Sequence, residues 1–303
     1  MLASLGGEWF PNKESSKTER RRETSMKVWT ERIEGIGANG EENEQTVKAS
    51  YTAYLIDNNP EEAEKKRKAI IICPGGGYRF VSPREAEPIA LEYLAMGYHA
   101  FVLSYSVAPS RFPQALEELA WLTAHIRRHA EEWKIQEDGI VVSGFSAGGH
   151  LAGSLGAFWN QEWLAQAVGA ENEEIRPNGM ILCYPVVTAG EYCHRGSVEN
   201  LLGDRADEKE AQDQFSLEFQ VGAHTPKTFL WHTVTDQTVP VQNSLLLANA
   251  LVQSGVNLEM HLYPVGCHGL SLATEETAVG QENRVEPQCQ NWIELAGNWM
   301  SHL

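Results

Sequence analysis

The residues best placed to do chemistry in this 303-residue chain surround Ser146, in Gly144-Phe145-Ser146-Ala147-Gly148. An apolar β-type run, Ile140-Val141-Val142, feeds into this pentapeptide, and a small-residue segment from Gly149 to Gly156 follows it. Strand, Gly-x-Ser-x-Gly and helix, in that order, set a serine on a sharp turn with its oxygen clear of the sheet. The turn strains the serine backbone, and side chains two residues away would clash, so glycine is needed at both flanks. A serine in a tight structural turn is the competing reading. Only partners elsewhere in the chain can decide between the two.

A serine hydroxyl is a weak nucleophile at neutral pH and needs a base within reach and an acid to orient that base. Of the ten histidines, His268 alone follows directly on a strand-like run, in a Gly-flanked loop near the C-terminus. His150 is too close in sequence to Ser146, and His232 and His261 fall inside strands. The acid is expected between serine and histidine. Asp236, in Thr235-Asp236-Gln237-Thr238-Val239-Pro240, directly follows such a strand. Aspartate also caps helices in this position, but Val239 and Pro240 mark a fixed loop and favour the acid role. Asp204, Asp207 and Asp213 are weaker candidates.

The fourth part is Gly75-Gly76-Gly77, after another buried strand. Adjacent glycines let backbone N–H groups approach a developing oxyanion, and Ala147, following the serine, would complete the hole. A phosphate cradle is excluded, because no Lys-Ser/Thr follows and the G-x-G-x-x-G spacing is absent.

The elements that must position these residues alternate. Strand-like runs cover 27–33, 46–56, 69–73, 98–105, 179–184, 228–233 and 257–263, besides the run into Ser146. Helical spacing predicts helices over 83–96, 113–133, 241–254 and 287–300. Ala69-Ile70-Ile71-Ile72-Cys73 is apolar throughout, as in a parallel strand covered on both faces. The fold class is therefore α/β, with a mostly parallel central sheet and helices on both faces. Residues 186–226 lack strong periodicity, with one short helix near 207–214. They read as a small cap insertion, in the position from which lids cover a site. His125 and His129 stand at i, i+4 without a third ligand at metal spacing, and are expected to face solvent. No metal or cofactor is expected.

A net charge of −17 argues against nucleic acid or an anionic membrane as partner. The five cysteines are odd in number and lack C-x-x-C spacing, which points to a reducing, cytoplasmic compartment. No run of 18 apolar residues suggests a membrane span. Residues 1–25 are polar and charge-mixed, with no apolar signal region. They are expected to be a disordered extension, with Met26 an alternative start, ahead of a single domain over 26–303.

Together these motifs resemble the α/β-hydrolase esterases of the hormone-sensitive-lipase-like and acetyl-esterase/feruloyl-esterase-like group. The resemblance covers residues 45–303 and rests on PGGGY (74–78), GFSAGGH (144–150), DQTVP (236–240) and CHGL (267–270). It implies the α/β-hydrolase fold, Ser146 as nucleophile, Asp236 and His268 as its triad partners, and oxyanion N–H groups from Gly76, Gly77 and Ala147. Lipase-like members carry His before the three glycines. Pro74 stands here, which shifts the likeness toward carbohydrate-ester members, acetylxylan esterases among them.

Tyr78, Tyr105 and Tyr184 stand at strand ends and either line the acyl or alcohol pocket or pack in the core. The expected activity is hydrolysis of a short-chain carboxylic ester, such as an O-acetyl group on a sugar, so the partner is a small-molecule or oligosaccharide ester. Two alternatives stay open: a small-amide hydrolase of the arylformamidase kind, and a non-catalytic binding module on the same scaffold.

Overall fold

The structure is a computed structural model and describes residues 26–36 and 49–303. The expected extension over 1–25, most of the 35–45 loop and the start of the 46–56 strand lie outside the described residues. Among the described residues, eight strands form one sheet. They are β1 (Lys27–Arg32), β2 (Ser50–Leu55), β3 (Arg67–Cys73), β4 (His99–Ser104), β5 (Ile135–Phe145), β6 (Gly179–Cys183), β7 (Thr228–Thr233) and β8 (Leu258–Tyr263). The spatial order is β1-β2-β4-β3-β5-β6-β7-β8. β2 pairs antiparallel with both β1 and β4, and every later pairing is parallel.

The helices are α1 (Glu87–Ala95), α2 (Gln114–Arg128), α3 (Ala147–Phe158), α4 (Glu162–Ala167), α5 (Asn172–Ile175), α6 (Arg195–Leu202), α7 (Lys209–Phe215), α8 (Gln242–Gln253), α9 (Glu275–Ala278) and α10 (Trp292–Ser301). Because strand side chains alternate between faces, the continuous apolar run of β3 feeds two separate cores. Ala69, Ile71 and Cys73 join one core with Leu119 of α2, Leu155 of α3 and Leu247 of α8. Ile70 and Ile72 join the other, with Ile89 of α1 and Trp292 and Trp299 of α10. Both faces of the sheet are covered, as the apolar runs required.

The topology also places the site. From β3 the chain pairs β4 on one side, then crosses to β5 on the other. The crevice beyond the carboxyl ends of strands at such a reversal is where ligands bind in open α/β sheets. β3, β5, β7 and β8 run parallel, so the segments after Cys73, Phe145, Thr233 and Tyr263 emerge at one edge. Those segments carry the triple glycine, Ser146, Asp236 and His268.

Three details differ from the expectation. The 83–96 helix breaks at Ala86, where a single 3-10 turn (Pro83–Glu85) gives way to α1. Segment 186–226 holds α6 as well as α7, and its short apolar stripe, Val198, Leu201 and Leu202, is buried. His125 and His129 do not simply face solvent. They stack between Trp121 and Trp133 in one column at i, i+4 spacing, with ring centroids 4.6, 4.3 and 4.7 Å apart. Half-burying these rings removes apolar area from water at the outer wall of α2.

Candidate active site

Ser146 sits between β5 and α3 with φ 55° and ψ −117°, a region that non-glycine residues rarely enter. Its N–H donates to the Cys183 carbonyl at 3.0 Å, and its own carbonyl accepts from Val186 and His150. These bonds over-determine the strained turn. The flanking glycines are obligatory for packing. A Cβ on Gly144 would lie 2.0 Å from the Gly148 carbonyl oxygen, and one on Gly148 would lie 2.0 Å from that of Cys73. The turn therefore presses the start of α3 directly against the end of β3.

The structure brings Ser146, His268 and Asp236 together across more than 120 residues. Ser146 Oγ lies 2.7 Å from His268 Nε2, and His268 Nδ1 lies 2.6 Å from Asp236 Oδ2. Asp236 Oδ1 accepts the N–H groups of Thr238 and Val239 at 2.9 and 3.0 Å, so the aspartate caps its own turn while its second oxygen faces the histidine. Burial alone would raise the Asp236 pKa. Hydrogen bonds from His232 and His268, the His268 charge and the Val239 N–H outweigh it and hold the carboxyl well below the usual carboxylate range.

His232 lies inside β7, a position that by itself gives no sequence signal for a role at the site. It is fully buried, its Nε2 donates to the Val239 carbonyl at 2.9 Å, and the same nitrogen stands 3.3 Å from Asp236 Oδ2. The Ser244 hydroxyl then donates to Nδ1 at 2.7 Å, which fixes the ring. A histidine four residues before the candidate acid was the only local signal.

The triple-glycine loop packs against the serine at its start, where a Cβ on Gly75 would lie 3.1 Å from Ser146 Cβ. Gly76 and Gly77 have φ of +135° and +63°, and the Gly76 carbonyl accepts from Arg79 and Phe80 to close a tight turn. Among the described residues, no protein acceptor meets the N–H groups of Gly76, Gly77 or Ala147, the expected oxyanion donors. N–H groups left without a protein acceptor in this way, one of them on the residue after Ser146, are of the kind that can hold a developing negative charge.

Of the two readings open for the three tyrosines, pocket lining or core packing, the structure shows packing and no open pocket wall at these side chains. Each is at most 2% exposed, and each hydroxyl is committed. Tyr78 bonds His150 Nδ1 at 2.8 Å, Tyr105 donates to the Pro74 carbonyl at 2.6 Å, and Tyr184 donates to Glu85 at 2.7 Å. A buried hydroxyl must find a partner, and here those partners brace the loops of the site. Glu85 is the second residue that the sequence did not flag. Its other oxygen accepts the Gly75 N–H at 2.9 Å.

An arrangement of this kind can transfer a serine proton to an imidazole while an acyl carbonyl is attacked. Residues 54–251 match the BD-FAE family. The chain is 38% identical over 248 residues to endo-1,4-beta-xylanase B of Butyrivibrio fibrisolvens, covering 78% of this chain and 38% of that protein. It is 28% identical over 232 residues to an acetylxylan esterase of Xylanibacter ruminicola, covering 75% and 45%. The chain thus spans less than half the length of these curated relatives. The crystal structure of an acetyl ester-xyloside bifunctional hydrolase from Caldicellulosiruptor lactoaceticus superposes with a TM-score of 0.74 at 33% identity. That match covers 92% of this chain and 96% of the other.

Proposed function

The chain belongs to the BD-FAE family, and from that membership we propose that it is a serine esterase removing short acyl groups, acetyl foremost, from the hydroxyls of carbohydrates. The observation that carries this reading is the unbroken bond path Ser146–His268–Asp236 at 2.7 and 2.6 Å. Relatives named acetylxylan esterase and acetyl ester-xyloside bifunctional hydrolase support the choice of acyl and alcohol.

On this reading Ser146 Oγ attacks the ester carbonyl as His268 Nε2 takes its proton, and Asp236 stabilises the imidazolium from Nδ1. The carbonyl oxygen becomes an oxyanion held by the N–H groups of Gly76, Gly77 and Ala147. Each such donor contributes on the order of 3 kcal/mol to lowering the barrier. His268 then protonates the departing sugar oxygen, leaving an acyl-serine. Water, deprotonated by His268, attacks that ester, and the imidazolium returns the proton to Ser146 Oγ as the acid is released. No helix of the described residues is long and apolar enough to cross a membrane.

The test is a panel of para-nitrophenyl esters from acetyl to octanoyl, with acetylated xylo-oligosaccharide and N-formylkynurenine alongside. Wild type should prefer acetyl and release acetate from the sugar, and Ser146→Ala should lose at least about 1,000-fold in kcat. Equal rates for wild type and Ser146→Ala would overturn the enzyme reading. A preference for N-formylkynurenine would replace the ester reading with an amidase one.

A further inference from the structure

His194 enters the site from the 186–226 segment, and the proposed acyl-transfer steps do not use it. It caps α6: the Ser197 N–H reaches its Nδ1 at 3.3 Å, and the buried Ser197 hydroxyl lies 2.8 Å from the same nitrogen. A backbone N–H can only donate, so Nδ1 is an acceptor and the ring proton sits on Nε2. That Nε2–H meets no protein acceptor among the described residues.

The ring lies against the expected oxyanion loop. A Cβ on Gly77 would stand 3.6 Å from His194 Cε1, which is van der Waals contact. The loop and α6 are tied together, because the Asn200 side-chain amide donates to the Gly77 carbonyl at 2.9 Å. Arg111 holds the same turn through the Asn200 carbonyl at 2.7 Å. Burial lowers the His194 pKa, and the field of His268 lowers it further, against an opposing pull from Asp236. With its pKa lowered, the ring is neutral at neutral pH, and its Nε2–H is a donor.

Acetyl chemistry limits what this donor can bind. An acetyl group has one hydrogen-bond acceptor, its carbonyl oxygen, which the proposed mechanism assigns to the N–H groups of Gly76, Gly77 and Ala147. The rest of the acyl part is a methyl group. A further donor beside the glycine loop then finds its acceptor on the alcohol part, where a sugar offers hydroxyl and ring oxygens beyond the bridging ester oxygen that every ester has.

We infer that His194 is a specificity-determining residue whose Nε2–H donates to a hydroxyl or ring oxygen of the sugar beside the ester. The inference rests on the carbohydrate-esterase reading. A site built around such a donor discriminates against alcohols that cannot accept from it.

The experiment compares kcat/KM for two acetates with different alcohols, an acetylated xylo-oligosaccharide and para-nitrophenyl acetate, in wild type, His194→Asn and His194→Gln. Asparagine keeps the helix cap but withdraws the outer donor, whereas glutamine carries an amide N–H outward. The sugar-to-aryl ratio of kcat/KM should fall about tenfold or more in His194→Asn, through KM on the sugar, and recover in part in His194→Gln. An equal loss on both acetates would overturn the inference, because it would mark His194 as a structural or oxyanion residue. An unchanged ratio would overturn it too. If wild type cleaves the aryl acetate and leaves the sugar acetate intact, the substrate reading itself falls, and wild type alone reveals that.

Discussion

Glu85 and Tyr184, 99 positions apart in sequence, meet in the buried interior where the Tyr184 hydroxyl donates to Glu85 Oε1 at 2.7 Å. That bond closes a frame around the site. Glu85 Oε2 takes the Gly75 N–H of the glycine loop, and the Tyr184 hydroxyl accepts the Ser271 N–H from the segment after His268. The neighbouring Arg84 donates to the Gly269 carbonyl at 2.7 Å, while its own carbonyl accepts from the Ser271 hydroxyl at 2.6 Å. One turn, Pro83–Glu85, thus grips both the glycine loop and the histidine loop.

Breaking this frame should cost activity and stability together. Glu85→Ala leaves two buried donors unpaired, at about 1–3 kcal/mol each, and loosens the loop that carries Gly76 and Gly77. A fall of about 10- to 100-fold in kcat is expected. Tyr184→Phe removes one bond from each side of the frame. In a double-mutant cycle followed by urea unfolding, Glu85→Ala and Tyr184→Phe should couple by about 1–3 kcal/mol. Additive effects would mean that the two residues act separately.

The two kinds of glycine should respond differently to a methyl group. In Gly148→Ala the new Cβ meets the Cys73 and Pro74 carbonyl oxygens at 2.0 and 2.4 Å, both backbone atoms that cannot swing aside. Destabilisation of about 3 kcal/mol is expected, visible as a lowered Tm. In Gly77→Ala the space is adequate, but the φ of +63° costs about 1–2 kcal/mol. Its Tm should fall less than that of Gly148→Ala. A reversed order of the two Tm values would contradict this packing account.

Acid should destabilise the fold well above the carboxylate range. Burial pushes the imidazole of His150 down to about 4. His99 is also pushed down to about 4, by burial and then by the Arg67 charge. Above about pH 6.5, the unfolded value, both states are neutral at these rings and the full stability is present. As pH falls from there toward 4 the unfolded chain takes up protons that the folded chain refuses, so stability is lost across that window. The ceiling is on the order of 3 kcal/mol per ring. Urea midpoints measured from pH 7.5 to 4.5 should decline with pH, and His150→Gln should flatten the curve. His150 bridges Tyr78 and the Phe215 carbonyl, so that variant should also weaken the fold at pH 7.5.

Much of the molecule was legible in the chain itself, for local reasons. Buried parallel strands announce themselves as apolar runs, so β3, β4, β6 and β7 were expected within a residue or two of their ends. The turn around Ser146 was legible because one strained conformation demands glycine at two fixed positions. Asp236 and His268 were legible because parallel strands deliver every carboxyl end to one edge, so residues just past a strand are neighbours in space.

What the chain did not disclose depends on pairing at a distance. Helix α6 has only three buried apolar residues, Val198, Leu201 and Leu202, too short a stripe to read without the wall that covers it. Glu85, His232 and His194 carry no local pattern, because a buried polar group is defined by its partner and those partners lie on other elements. The three tyrosines made the same point in reverse. Sequence placed them at strand ends near the site, and only tertiary structure decided that their hydroxyls turn inward to hold the loops.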